Sequence, residues 1–449
     1  MAAPPQRPTH DSRLAFRLWM VVSGTVVVLL LLSSYYTGIL RTPLDYAESK
    51  AGDFCRKASD STENAKPRNC QDPYRRPGYL IVPPEQKDYQ QTQWMPFTNK
   101  FLDSHPPSAA YPPKQKELIF NDTQVPEEFL EGPEIPKQWM QIAVAEHKRR
   151  VKALNNPHAT VDDYASMKNA GGLGWLWGRR IVEFGDSVDR YEAKYTCREF
   201  DNEMYFPKVH PIEKVPKGIC EIPTFNLTFV VFHSAGGFTY RPDWFWYKEM
   251  RIIPFEERWK TVWKPHEEPI QGPNGRPDLL LWQNGLWDQR GFQVGGKKHH
   301  EPNTTVGIWS RKLVWEELNF FTSRLRTYVQ MLVDEFPGTP MMFRTLTYHQ
   351  HTGMSDAMMP EMDRVGRAMA AKYGHEVFEW ARIIQLLGKH WADRTHPAEG
   401  AMSWLWGNMV LEYLARASGA GTNAGGEKRY PYFEGWDACH EERLSQGGF

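Results

Sequence analysis

From about residue 137 onward, apolar positions along the chain recur with two alternating periods. Residues 137–154 carry them at the i, i+3, i+4 spacing of an amphipathic helix. Residues 179–184 form a short apolar run stopped by Gly185 and read as a strand, and residues 188–200 read as a helix. Apolar runs at 227–233 and 277–283 read as strands, 314–336 as a long amphipathic helix, and 339–349 as a strand. Residues 361–388 begin helical, with room for a further strand in their later part, and 397–417 read as a helix. Strands alternating with crossovers of this length predict an α/β fold. Its sheet is mostly parallel and covered by helices on both faces, a three-layer α/β/α sandwich. Residues 41–136 lack such runs and carry Pro pairs at 83–84, 106–107 and 112–113, so they read as an irregular stem or wrapping segment. Beyond residue 416 the chain reads as a Gly-rich linker and a short aromatic tail.

The N-terminus has a different pattern. Residues 18–40 contain no charge and are bracketed by Arg17 and Arg41. As a helix rising about 1.5 Å per residue they span roughly 35 Å, enough for a hydrocarbon core of about 30 Å. Arg7, Arg13 and Arg17 precede the segment against Asp11 alone, while charges of both signs follow it in balance. The positive flank predicts a cytosolic N-terminus, a transmembrane signal anchor over 18–40, and a luminal remainder. A cleaved signal peptide would have a shorter apolar region, about 7–15 residues, and a small-residue cleavage site. Five cysteines, Cys55, Cys70, Cys197, Cys220 and Cys439, show no C-x-x-C spacing, which argues against a zinc knuckle. In an oxidising lumen pairing is expected. Cys55–Cys70 and Cys197–Cys220 are the local pairings, but spacing alone does not choose the connectivity. The sequons at Asn121 and Asn303 suit luminal glycosylation, whereas Asn226 opens a strand-like run and ranks below them.

Lys+Arg and Asp+Glu are equal, which gives no reason to expect nucleic acid or an acidic polymer as partner. The 18 Trp residues serve a large core first, and a sugar-binding cleft second.

Chemistry in parallel sheets gathers at the carboxyl ends of strands. The strand at 179–184 is followed by Gly185-Asp186-Ser187, and that at 227–233 by Gly236 and Gly237. The strand at 277–283 is followed by Asn284, Gly285, Trp287 and Asp288, and Asp393-Arg-Thr-His396 lies near the end of the domain. Each has a plain structural reading. Ser187 suits a helix N-cap, the glycines and Asn284-Gly285 suit turns, and a second Asp-x-x-His stands at Asp437 and His440. Trp287 and Asp288 read as structural. Together the positions make one chemistry. Serine becomes a nucleophile when a base takes its proton, and histidine serves when an acceptor fixes its tautomer. Asp393 and His396 can meet within one turn. Pro397 keeps His396 out of helical dihedrals and suits the first position of the helix that follows. The Ser187 N–H, a glycine N–H and the Asn284 amide are candidate oxyanion donors. No glycine stands two residues after Ser187, so this is not the Gly-x-Ser-x-Gly elbow. His299, His300, His349 and His351 could be metal ligands, but His alternation at a strand edge is ordinary, and no metal site is expected.

This order of blocks resembles the SGNH/GDSL hydrolase superfamily. "QNGLWD", "FRTLTYH" and "DRTHP" look like its PC-esterase branch, which includes membrane-anchored polysaccharide O-acetyltransferases of plants and fungi. The likeness covers about residues 170–416. It implies Ser187 as nucleophile, His396 as base and Asp393 as its orienting acid. Gly236 or Gly237, with Asn284, would serve the oxyanion. The third block departs from the family's Gly-x-Asn-Asp, which leaves the last three assignments open. The implied plan is a cytosolic tail over 1–17, an anchor over 18–40, a stem over 41–136, an SGNH-like catalytic domain over 137–416 and a linker with tail over 417–449. The implied protein is a single-pass type II membrane protein of the Golgi or secretory lumen. It would act as an esterase or O-acetyltransferase on glycan hydroxyls. It would need no cofactor, and its acyl group would come from an acetyl ester or an acetyl-CoA-derived donor. The alternatives are a non-catalytic glycan-binding protein on the same fold and a type II glycosyltransferase. The second is weakened because no two aspartates stand two apart. Neither hydrolysis nor transfer, nor the oligomeric state, follows from the sequence.

Overall fold

A computed structural model describes residues 72–75, 78–96, 136–207, 217–237, 254–266, 270–299, 311–348, 357–385, 387 and 390–417, all within one compact unit, Asn69–Phe449. The elements used below run in chain order. A hairpin of β1 (Gly78–Ile81) and β2 (Gln93–Pro96) is followed by α1 (Trp139–Leu154), β3 (Arg180–Gly185) and α2 (Ser187–Glu199). Then come β4 (Lys217–Ile222), β5 (Leu227–His233), β6 (Leu279–Trp282) and α3 (Leu286–His299). The chain continues with α4 (Trp315–Glu335), β7 (Met341–Arg344), α5 (Met358–Tyr373), β8 (Glu376–Phe378) and α6 (Ala401–Ala417).

Strands β3 to β8 form one six-stranded sheet in the order β4-β5-β3-β6-β7-β8. Every pairing is parallel except that of the edge strand β4 with β5. The chain leaves β3 toward β5 and later crosses to β6 on its other side. The switch point therefore lies between β3 and β6, where open α/β sheets place their sites. Strand alternation assigns the two faces. Phe184 stacks on Phe232 with ring centroids 4.9 Å apart and meets Trp263 and Phe336, on the face covered by α4 and α5. Phe229 meets Trp406 and Phe378 meets Tyr413, on the face covered by α1, α2 and α6. The α/β/α layering read from the sequence is thus present.

Helix α6 is buried along nearly its whole length, because it is covered from several sides. Its Asn408 side chain accepts the Met140 N–H at 3.0 Å, and Glu412 accepts from the Trp139 indole. A β-carbon on Gly407 would come within 2.6 Å of Met140 Sδ, so the absence of a side chain sets how closely α1 and α6 approach. The segment 72–96 covers another side. Asp72 accepts from the Tyr413 hydroxyl at 3.0 Å, and Trp94 is buried with its indole donating to the Pro73 carbonyl at 2.9 Å. The Tyr89 hydroxyl donates to Glu199 of α2 at 2.6 Å, while its ring meets Trp404 of α6 edge-on.

Three of the elements named above were not legible in the sequence. The hairpin β1–β2 lies in the Pro-rich stretch. Strand β4 is a short edge whose Lys217 is buried. Helix α3 is hidden by Gly291, Gly295 and Gly296, which break the apparent helical pattern. The strand read at 339–349 is only Met341–Arg344. Cys197 of α2 and Cys220 of β4 form a disulfide with a Cα–Cα distance of 5.9 Å. Closing a loop of 23 residues is worth roughly 3 kcal/mol in the chain-entropy account. Among the described residues no helix is long and apolar enough to cross a membrane. The expected anchor at 18–40, the sequons at Asn121 and Asn303, and Cys55, Cys70 and Cys439 lie outside the described residues. So do His300, His349, His351 and residues 418–449.

Two histidines sit in this core uncharged. Burial lowers the His375 pKa to about 4, and its Nδ1 accepts from the Trp282 indole N–H at 3.1 Å. Burial, with the Arg190 and Arg258 charges, lowers His233 to about 3. The unfolded chain, with histidines near 6.5, binds more protons than the native state between those values and about 6.5. Stability should therefore be complete above about pH 6.5 and fall as pH drops below it. Denaturant melts of His375→Gln should show a shallower loss than wild type between pH 6.5 and 5, above most carboxylate titrations. Parallel slopes for the two proteins would contradict a buried neutral His375.

Candidate active site

The β3–α2 junction is built around carboxylates. Strand β3 ends at Gly185, and Ser187 is the first residue of α2. The cap is Asp186, not Ser187. The Asp186 side chain accepts the Val188 N–H at 2.8 Å, and its own N–H donates to Asp189 Oδ2 at 2.9 Å, closing a capping box. The capping reading of Ser187 is therefore overturned, because a carboxylate one residue earlier already takes the first-turn donor. The Ser187 hydroxyl is free to point elsewhere. It lies 2.7 Å from His396 Nε2.

His396 is held from behind. Its Nδ1 is 2.8 Å from Asp393 Oδ2, while Asp393 Oδ1 accepts the backbone N–H groups of Thr395 at 2.7 Å and His396 at 2.8 Å. Partial burial would raise the Asp393 pKa. Hydrogen bonds from the His396 side chain and these two N–H groups outweigh it and hold the carboxyl below its usual range. The loop is closed by a bridge between Trp391 and Pro397 and by the Ala398 N–H donating to the His390 carbonyl at 3.1 Å. Pro397 thus serves this bridge and not the first helical position, since α6 starts at Ala401. His396 still precedes that helix. The Tyr191 ring stands 4.9 Å from the His396 ring, centroid to centroid.

The structure distinguishes the two glycines among the candidate oxyanion donors. The Ser187 N–H, at the first helical position, has no acceptor among the described residues. Gly237 is not a free donor, since its N–H goes to Asp288 Oδ1 at 2.8 Å. Asp288, read from sequence as structural, is fully buried and fixes that glycine turn. Gly236 turns the chain with φ +88°, its carbonyl accepting from Arg258 at 3.0 Å. Its N–H makes no hydrogen bond among the described residues. Asn284 accepts the Ser234 hydroxyl on Oδ1 at 2.9 Å, which orients its amide nitrogen toward Gly237. Ser187, His396 and Asp393 are thus joined in one hydrogen-bonded row. Asn284 and the Gly236–Gly237 turn are joined through their neighbours, beyond the ends of β6 and β5 on either side of β3.

Beneath the row, Asp189 pairs with Arg344 of β7, and Glu183 and Glu192 lie buried beside them. Burial first, and the Asp189 charge second, push both glutamates well up, which favours the neutral acid. Among the described residues no group of three or more His, Cys, Asp or Glu side chains could hold a metal ion. Sequence reasoning missed Asp189, Ser234, Gln283 and Arg344. The only trace it offered of the first was an aspartate two residues beyond the serine.

A serine follows the first strand of a mostly parallel sheet, and an Asp-x-x-His loop precedes α6 and meets that serine. The fold is α/β with a mostly parallel sheet. No family model matches the chain, and no curated protein matches it. Among solved structures it is similar to an acetylxylan esterase from Geobacillus stearothermophilus, at 14% identity and a TM-score of 0.29, covering 54% of this chain and 95% of that one. A protein described as a GDSL-like lipase from Parabacteroides merdae matches at 14% identity and a TM-score of 0.31, covering 54% and 96%. An alpha/beta hydrolase from the Lake Arreo metagenome matches at 17% identity and a TM-score of 0.28, covering 55% and 98%. At such scores these likenesses add nothing to the site geometry.

Proposed function

We propose that this chain is a serine-dependent esterase or O-acyltransferase that carries an acyl group, most simply acetyl, between an ester and a carbohydrate hydroxyl or water. The observation that supports it is the continuous row Ser187 Oγ, His396 Nε2, His396 Nδ1, Asp393 Oδ2, with contacts of 2.7 and 2.8 Å. In that row His396 takes the Ser187 proton as Oγ attacks the ester carbonyl, and Asp393 steadies the imidazolium. The tetrahedral oxyanion collapses, and the leaving alcohol departs with the proton from His396. Water or a sugar hydroxyl then gives its proton to His396 and attacks the acyl-serine, and as the acyl–Oγ bond breaks His396 returns that proton to Ser187 Oγ. The Ser187 N–H, the Gly236 N–H and the Asn284 amide are the donors for the oxyanion. Gly237 is not among them. The choice of acetyl and carbohydrate rests on the likeness of "QNGLWD", "FRTLTYH" and "DRTHP" to the PC-esterase branch. The uncharged segment 18–40 adds a luminal, membrane-anchored setting where glycans are made.

Ser187→Ala should abolish acyl-enzyme formation from an activated acetyl ester. Its melting temperature should hardly move, because the cap belongs to Asp186. His396→Ala should be as damaging, and the double variant no worse, since residues acting as a unit are not additive. Full turnover by Ser187→Ala would end the hydrolase reading in favour of glycan binding without catalysis.

Asn284→Ala should lower kcat by roughly 10²-fold with KM little changed, the scale of losing one oxyanion donor. A raised KM with kcat intact would make Asn284 a substrate-binding residue.

For topology, glycosidase treatment should shift the mobility of the expressed protein through Asn121 or Asn303. Residues 60–440 should resist added protease in intact, right-side-out microsomes. Digestion there would refute the luminal placement.

A further inference from the structure

Four hydrogen-bond donors converge on the Asp189 carboxylate. Arg344 Nε donates to Oδ1 at 2.7 Å and Arg344 Nη2 to Oδ2 at 2.8 Å. Gln283 Nε2 and the Asp186 N–H each donate to Oδ2 at 2.9 Å. Asp189 and both partner side chains are buried: Asp189 is 4% exposed, Arg344 1% and Gln283 2%. A capping box needs one of these bonds. The other three tie the first turn of α2 to β7 and to the end of β6, across the switch point of the sheet.

Stability does not account for this arrangement. Taking an ion pair out of water costs about what its attraction returns, and apolar replacements of similar volume are often neutral or better. Glu183 and Glu192, buried beside the pair with no hydrogen-bond partner among the described residues, add to the cost. What a bidentate pair with two further donors does provide is a fixed position and rotation for a carboxylate. That carboxylate sits two residues after Ser187. Gln283, which holds it from β6, is followed directly by Asn284. One group therefore sets the placement of both the nucleophile turn and the strand end bearing a candidate oxyanion donor.

We propose that Asp189 and Arg344, with Gln283, form a positioning cluster that sets the alignment of Ser187 with His396 on one side and with Asn284 on the other. The proposal rests on Ser187 being the nucleophile. None of the three touches substrate. They act by holding Ser187, and a misplacement on the order of 1 Å can cost about 10²-fold in rate.

The test uses the full-length chain in detergent, with an activated acetyl ester, a serine-directed phosphonate as label, and melting temperatures. Arg344→Lys keeps the buried charge but loses the planar two-pronged grip. It should fold, label at Ser187 slowly, and lose about tenfold or more in kcat with KM within about twofold of wild type. Gln283→Met leaves the ion pair intact. It should keep its melting temperature and lose kcat severalfold, which gives a readout even if Arg344→Lys fails to fold. Wild-type kcat and labelling in Gln283→Met, or in folded Arg344→Lys, would overturn the proposal and leave the cluster a matter of stability alone. Failure of the underlying reading looks different, because Ser187→Ala would then retain turnover.

Discussion

The placement of a single buried carboxylate governs the β3–α2 junction, and much of the molecule's order follows from it. A β-carbon on Gly185 would lie 2.1 Å from Asp189 Oδ2. The glycine of the Gly-Asp-Ser triplet is therefore required by the volume of a side chain four residues on, and not by a left-handed backbone. Asp186 supplies the cap, its carboxylate accepting the Val188 N–H while its own N–H donates to Asp189. With the cap settled on Asp186, the hydroxyl of Ser187 is left without a backbone duty. A residue type often spent on helix termini becomes available for chemistry.

The second half of the row is carried by a separate element. His396 belongs to a loop locked at its base by the Trp391–Pro397 bridge and at its tip by Asp393. Its distance from Ser187 depends on how α6 sits against α2. The Thr196 hydroxyl donates to the Ser403 carbonyl at 3.5 Å, and Arg198 reaches Glu399 at 2.9 Å. Tyr89 spans both helices from outside. The row of three residues is thus assembled from two rigid pieces whose separation is fixed several residues away from the chemistry.

Periodicity made the sheet and the long helices legible, because buried parallel strands are continuous apolar runs and α4 has a clean stripe. The Gly-Asp-Ser and Asp-x-x-His clusters were legible because each is local in sequence. What could not be read depends on partners far along the chain. Asp186 and Ser187 are equally good caps on paper, and only the Asp189 carboxylate decides between them. Gly236 and Gly237 look alike, yet Asp288, 51 residues on, consumes the N–H of one. Arg344 carries no local mark, since its meaning lies 155 residues away in Asp189. Helix α3 and the β1–β2 hairpin were masked by glycine and proline, whose local preferences were overridden by packing.

The contact between Asp72 and Tyr413 joins residues 341 positions apart. During synthesis at about 5–20 residues per second, the earlier segment waits roughly tens of seconds before α6 exists to receive it. Tyr74, whose ring meets Tyr413 in the finished protein, lacks that partner during the interval. The wrapping of residues 72–96 is therefore a late event, completed only after the whole sheet has been made. Until α6 is made, the Tyr74 ring lacks the cover that Tyr413 gives it.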